Sequence, residues 1–205
     1  PRRHPLIQVA AVAVDQSGTE LNSIELKLRF EEKKATRASL RKAAYSRAQW
    51  SREAIEPRVA ARRLAGFLQA HATISIIRQD GSAGRVAQLV AHNASFDMEF
   101  LQAWYTELGL FLPARFQALC TLQRAEWYFA EHPELPRPDN MKLLTLCRYF
   151  HVPLHPMEAH DALADVRATI GLYNAIRHAE GVGLTTTRQL RSWRGQKASR
   201  YAAAS

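Results

Sequence analysis

The first apolar stretch runs Leu6-Ile7-Gln8-Val9-Ala10-Ala11-Val12-Ala13-Val14, and its β-branched content predicts a strand. Asp15-Gln16-Ser17-Gly18 is a turn signal. Ile24, Leu26, Leu28 and Phe30 then alternate with Glu25, Lys27 and Arg29, the period of a half-buried strand. Together these segments predict an antiparallel hairpin. Residues 31–53 are polar and charged, without Gly or Pro, and predict a loop with helical pieces. Over residues 54–71, Val59, Leu64, Phe67 and Leu68 mark an amphipathic helix. Residues 78–85 predict a turn and 86–91 a short apolar strand. A helix follows over 94–108, with Phe96, Phe100, Leu101, Trp104 and Leu108 at helical spacing. Residues 116–121 predict another strand, leading into a helix through Phe129, and 132–138 form a Pro-rich connection. Met141, Leu144, Cys147 and Phe150 continue a helical stripe. The last helix starts at His160 or Asp161 and ends near Ala179, where Gly181 and Gly183 stop it. A hairpin followed by alternating helices and strands indicates a mixed α/β sheet.

Composition narrows the class. Apolar residues make up 47% of the 205, a globular fraction that argues against wholesale disorder and fits one core. No apolar run is long enough for a bilayer, and no basic-then-apolar leader opens the chain, so the expectation is a cytoplasmic protein without a membrane partner. Cys120 and Cys147 lie in apolar surroundings and read as buried reduced thiols rather than a disulfide framework. The net charge of +9 favours a polyanionic partner, and nucleic acid is the commonest. Much of the excess lies in residues 33–63 and 188–200, as either solvated helix faces or a phosphate-binding surface.

Two motifs carry candidate chemistry. In Leu89-Val90-Ala91-His92-Asn93-Ala94-Ser95-Phe96-Asp97 an apolar strand runs into a turn and then a helix. Asn93 stands where an N-cap belongs, and Asp97, four residues on, shares the helix face near it. A carboxylate is thus expected at the end of a strand, beside the positive end of a helix. The plain alternative is an Asn cap with an Asp that favours the dipole. In Glu158-Ala159-His160-Asp161-Ala162-Leu163-Ala164-Asp165-Val166-Arg167-Ala168-Thr169, residues five apart within a helix do not share a face. If His160 precedes the helix and Asp165 sits in its first turns, both reach one site. The plain alternative is an exposed His next to a capping Asp161.

Taken as a pair, strand-H-N-x-x-F-D-helix and H-D-A-x-x-D resemble the second and third motifs of the DnaQ-like 3′–5′ exonucleases of the DEDDh type. The resemblance runs from about Leu6 to Ala179 and includes Asn140-Met141-Lys142-Leu143-Leu144, where the family has a helix leading to its third motif. It implies an RNase H-like mixed β-sheet flanked by helices, over residues 1–180, with 181–205 a basic, flexible tail. It also implies a two-metal phosphodiesterase holding Mg²⁺ or Mn²⁺ on carboxylates, with a His as general base. Asp97 and Asp165 match two of the metal-binding carboxylates and His160 the base. Asn93, Phe96 and His92 match positions on the substrate side. The implied partners are single-stranded DNA or RNA 3′ ends, with a DNA polymerase as the candidate protein partner in proofreading.

There is one departure. The family's first strand carries Asp-x-Glu and precedes a strand like residues 6–14, whereas this sequence opens Pro1-Arg2-Arg3-His4-Pro5. Asp15 and Glu20 fall at the far end of the hairpin and do not substitute. The expectation is a domain whose central first strand is missing, as an N-terminally truncated piece more than a pseudoenzyme, leaving an exposed sheet edge. A catalytically inactive nucleic-acid-binding or polymerase-associated domain is the alternative function. A structural or interaction protein, whose His and Asp residues are only caps, is a third.

Overall fold

A computed structural model describes residues 5–78, 80–154 and 161–181, with Lys42 described through its backbone only. The hairpin forms as expected, from β1 (Gln8–Val14) and β2 (Glu20–Lys27), antiparallel, with an irregularity at Ala13/Val14. Asp15 builds its turn. One carboxylate oxygen accepts from the backbone N–H of Ser17 and Thr19 and from the Ser17 hydroxyl, which holds its pKa below the usual range. The polar stretch that follows contains a single 3₁₀ turn (Glu32–Lys34) and two short helices, α1 (Arg37–Lys42) and α2 (Arg47–Glu53). Thr36 and Ser46 cap them. Trp50 of α2 is buried and donates its indole N–H to the Ile7 carbonyl at 3.2 Å, so this segment is pinned to the entry of β1.

Helix α3 (Pro57–Ala70) starts on a proline, whose missing N–H costs nothing in a first turn. Its inward face is Ala60, Ala61, Leu64 and Leu68. Val59, expected in the apolar stripe, is 42% exposed, because the alanines let the helix approach the core on the neighbouring face. Close approach is visible in Tyr105, whose hydroxyl donates to the Ala61 carbonyl at 2.6 Å. Where residues 78–85 were expected to be only a turn, the structure has a further antiparallel hairpin, β3 (Ile74–Ile77) with β4 (Ala83–Val86).

The chain then enters β5 (Val90–Ala91), α4 (Ala94–Glu107), β6 (Leu119–Cys120) and α5 (Thr121–Glu131). β5 and β6 pair in parallel, as a strand–helix–strand crossover requires. Helices α6 (Leu143–Tyr149) and α7 (Ala162–Ala179) complete the described residues, and α7 packs on α5, α6 and β1. Two clusters form most of the core. One lies between the β1–β2 hairpin, α3 and α4, around Leu28, Leu64 and Tyr105, and the other between α5, α6 and α7, around Leu146, Leu172 and Ile176. Cys147 is buried in the second as a reduced thiol, and Cys120 is half-buried.

Among the described residues the strands pair two by two: β1 with β2, β3 with β4, β5 with β6. β1 is almost wholly apolar, the composition of a strand covered on both faces. Yet Gln8 through Ala13 are all half-exposed and Val14 is 39% exposed. Helix α7 touches both β1 and β5, so one helix covers two strand pairs that do not bond each other. β1 thus has the sequence of an inner strand and the surroundings of an edge. No helix among the described residues is long and apolar enough to cross a membrane.

Candidate active site

The site is built at the end of β5. Leu89 accepts from the Leu119 N–H at 2.9 Å, which fixes the last residues of the strand against β6. The chain must then turn sharply into α4, and Asn93 makes the turn in the left-handed conformation, φ 65° and ψ 50°. Asn is one of the few side chains that visits this region. The expected side-chain cap does not form: with its backbone turned this way Asn93 bonds no helix N–H through its side chain, and its amide is exposed. Its carbonyl accepts from the Phe96 N–H at 3.0 Å. Phe96 does not enter the core. It is 59% exposed and packs on Phe100 one turn on, with ring centroids 4.8 Å apart.

Asp97 lies in the first turn of α4, as expected. The helix terminus favours its charged form, but the protein crowding it prevails: loss of water raises its pKa to about 6. The residue keeps an open face to solvent. Asp165 lies in the first turn of α7, half-buried. Asp161 ahead of it is the cap, accepting from the Ala164 N–H at 2.9 Å. His160, the expected base, lies outside the described residues.

Helices α4 and α7 both abut β5, and Asp165 lies near enough to His92, the residue after β5, to act on its charge. The negative charge of Asp165 reaches two groups there. It adds to the burial that pushes the Cys147 thiol up to about 11, and it opposes the burial that lowers the pKa of His92. His92, expected on the substrate side, has neither ring nitrogen to offer a substrate. Nδ1 is 2.9 Å from the Thr121 hydroxyl and Nε2 is 2.8 Å from the Met141 carbonyl. Sequence reasoning missed Thr121, although a Thr at the junction of a short strand and a helix, 1% exposed, is the kind of buried hydroxyl that needs a partner.

Asp97 and Asp165 offer the hard oxygens that Mg²⁺ or Mn²⁺ prefers. Their number is the obstacle. Among the described residues no group of three or more His, Cys, Asp or Glu side chains is arranged to hold an ion.

Comparison with known proteins identifies the architecture. A family model for exonucleases of the RNase T type matches residues 78–173, which span β5, both carboxylate-bearing turns and most of α7. These residues form an exonuclease domain of the DnaQ-like 3′–5′ type. The exonuclease domain is similar to the DNA polymerase III PolC-type proteins of Bacillus subtilis, 37% identical over 81 residues, and Halalkalibacterium halodurans, 37% identical over 83 residues. Each match covers 40% of this chain and 5% of the polymerase. A Mycobacterium tuberculosis protein whose name couples exonuclease and endonuclease is 37% identical over 106 residues, 51% of this chain and 15% of that protein. The exonuclease domain therefore spans a small part of these relatives. Among solved structures, exonuclease I superimposes with a TM-score of 0.63 at 16% identity, over 91% of this chain and 38% of that one, and has the same RNase H-like fold.

Proposed function

We propose that this domain removes nucleotides from nucleic-acid 3′ ends by metal-dependent phosphodiester hydrolysis. Asp97 and Asp165 bind the divalent ions, His160 takes the proton of the attacking water, and the exposed Asn93 and Phe96 meet the terminal nucleotide. The observation that carries this reading is that the two helices with a carboxylate in their first turn, α4 with Asp97 and α7 with Asp165, both pack on β5. An ion bound there would supply Lewis acidity at the phosphate. The chain's own part is to hold two hard oxygens in a partly desolvated corner, where Asp97 gives up its proton close to neutral pH. The exposed Phe96 beside Asp97 suits stacking on a base, which accepts any sequence. The net charge of +9 suits a phosphate backbone. The polymerase relatives support proofreading beside a DNA polymerase as the setting.

The test is a Mn²⁺ titration of the protein beside Asp97→Asn and Asp165→Asn. The reading expects each substitution to weaken binding, and equal affinity in all three would overturn it. One observation favours a second reading, a nucleic-acid-binding domain that keeps the fold without catalysis: the described residues provide no third ligand. That reading expects single-strand binding that is indifferent to Mn²⁺ and to both substitutions.

A further inference from the structure

His92 joins three parts of the domain that are distant in sequence. Its Nε2 faces the Met141 carbonyl at 2.8 Å. A carbonyl only accepts, so Nε2 carries the proton, and Nδ1 shares a hydrogen bond with the Thr121 hydroxyl at 2.9 Å. Both ring nitrogens are thus in use, and burial lowers the ring's pKa, which favours the neutral form. Thr121 opens α5 and is buried, with the Ala91 carbonyl 3.5 Å from the same hydroxyl. Met141 precedes α6 in a turn organised by Asn140, whose side-chain oxygen accepts from the Lys142 N–H and the Thr145 hydroxyl. Both α5 and α6 pack against α7.

Each connection has a consequence for the carboxylates. His92 directly precedes Asn93, the left-handed residue that aims α4 and hence Asp97. The segments it grips carry the helices against which α7, and hence Asp165, is seated. An apolar residue of similar size would fill the same space but leave the Met141 carbonyl without this donor. We infer that His92 is a positioning residue, whose ring fixes the β5–α4 corner to α5 and α6 and so sets Asp97 relative to Asp165. This rests on the metal-binding role proposed above for the two aspartates. Groups that orient metal ligands from behind are worth about 10–100-fold in affinity.

The experiment is a Mn²⁺ titration followed by NMR in the full chain, reading paramagnetic broadening at the amides of Met98 and Val166, which report on Asp97 and Asp165. In the unsubstituted protein both broaden together. In His92→Phe the joint broadening is expected to split, with an apparent affinity about tenfold weaker. Thr121→Val, which keeps the ring and its Met141 bond, should show part of the loss, and His92→Gln, which keeps a donor for Met141, should recover part of it. If His92→Phe does not fold, these two variants carry the comparison. Joint broadening at unchanged affinity in the folded variants overturns the inference. Absence of joint broadening in the unsubstituted protein overturns the metal reading itself. A long-range ¹⁵N spectrum of the His92 ring separates the cases, because the Nε2–H tautomer is expected whether or not a metal binds.

Discussion

Gly18, at the tip of the β1–β2 turn, lies directly against Asn174 of α7, and a Cβ at Gly18 would fall 2.0 Å from the Asn174 Nδ2. The contact is one of three that fasten α7 to the hairpin. Arg167 forms a two-pronged ion pair with Glu20, and Arg177 donates to the Gln16 carbonyl at 3.3 Å. The helix that presents Asp165 is thus clipped along its length to the edge of the sheet.

Gly18→Ala is expected to destabilise the domain through two separable effects. Gly18 has φ +87°, where a side chain costs about 1–2 kcal/mol, and the new methyl displaces Asn174. Gly81 provides the control, since it has φ +78° and a methyl there would meet nothing within 4 Å. Thermal unfolding should show Gly81→Ala losing the backbone strain alone and Gly18→Ala losing more. The double change Gly18→Ala with Asn174→Ala should recover the excess. Equal losses at the two glycines would mean that the hairpin–helix contact contributes nothing.

The raised pKa of Asp97 sets the sign of a pH effect. Its folded value, about 6, lies above the ordinary value of 3.8 for a free carboxyl. The folded state therefore binds the proton more tightly than the unfolded state, and this residue makes the ion-free protein less stable as pH rises from about 4 to about 6. Asp97→Asn should stabilise the ion-free protein at pH 7–8, with the gain shrinking as pH falls through 6 and gone near 4. Denaturant titrations in a chelator across that range test it. A gain that is the same at every pH would show that the desolvated charge is not its source.

Metal binding should have the opposite preference, because the ion needs the carboxylate charged. Affinity for Mn²⁺ is expected to fall as pH drops through about 6, and the part of that fall due to Asp97 should be missing in Asp97→Asn. Isothermal titration at pH 5.5, 6.5 and 7.5 decides the matter. A flat profile would remove Asp97 from the ligand set.

The strand-to-helix corner at Asp97 and the helix carrying Asp165 were legible because each is written in one contiguous motif. What His92 does was not, because its partners Thr121 and Met141 lie 29 and 49 residues away. Asn93 was legible as a helix start but not as a left-handed residue: the side chains that favour a cap are those that tolerate positive φ. The exposure of Val59 and that of Phe96 share a cause. Helices α3 and α4 bury alanines, Ala60, Ala61 and Ala94, and an alanine in a sequence does not say which way it faces. The β3–β4 hairpin was hidden by its own pattern, since Ile74, Ile76 and Ile77 put apolar side chains on both faces and Ile77 is 75% exposed.

The two-carboxylate site admits a gain-of-function test. Two carboxylates hold divalent ions poorly, so the 205-residue chain alone is expected to hydrolyse 3′ ends only at a trace rate. Placing an extended Asp-x-Glu segment ahead of Leu6 should raise both Mn²⁺ affinity and hydrolysis of a single-stranded 3′ end. In that background His160→Ala should lower the rate by about 10²–10⁴, the usual worth of a general base, and leave metal affinity intact. Full activity in His160→Ala would dismiss His160 as the base.

The basic segment of residues 188–200 lies outside the described residues, but its chemistry makes a separate prediction. A 3′-end nuclease that reads no sequence must gain most of its affinity from phosphate contacts. Arg188, Arg191, Arg194, Lys197 and Arg200 offer the charge, and Trp193 and Tyr201 offer faces for bases. Each phosphate neutralised releases counterion, so every working contact steepens the fall of affinity with salt by about 0.7 in the log–log slope for a single strand. Titrating a single-stranded oligonucleotide against the full chain and a version ending at Gly183, at several salt concentrations, isolates this contribution. A tail that binds makes the full chain tighter and its slope steeper, by about 3.5 units if all five cations engage. A solubilising tail leaves both unchanged, and the positive charge that draws nucleic acid must then lie within the folded domain, with residues 33–63 the first region to neutralise.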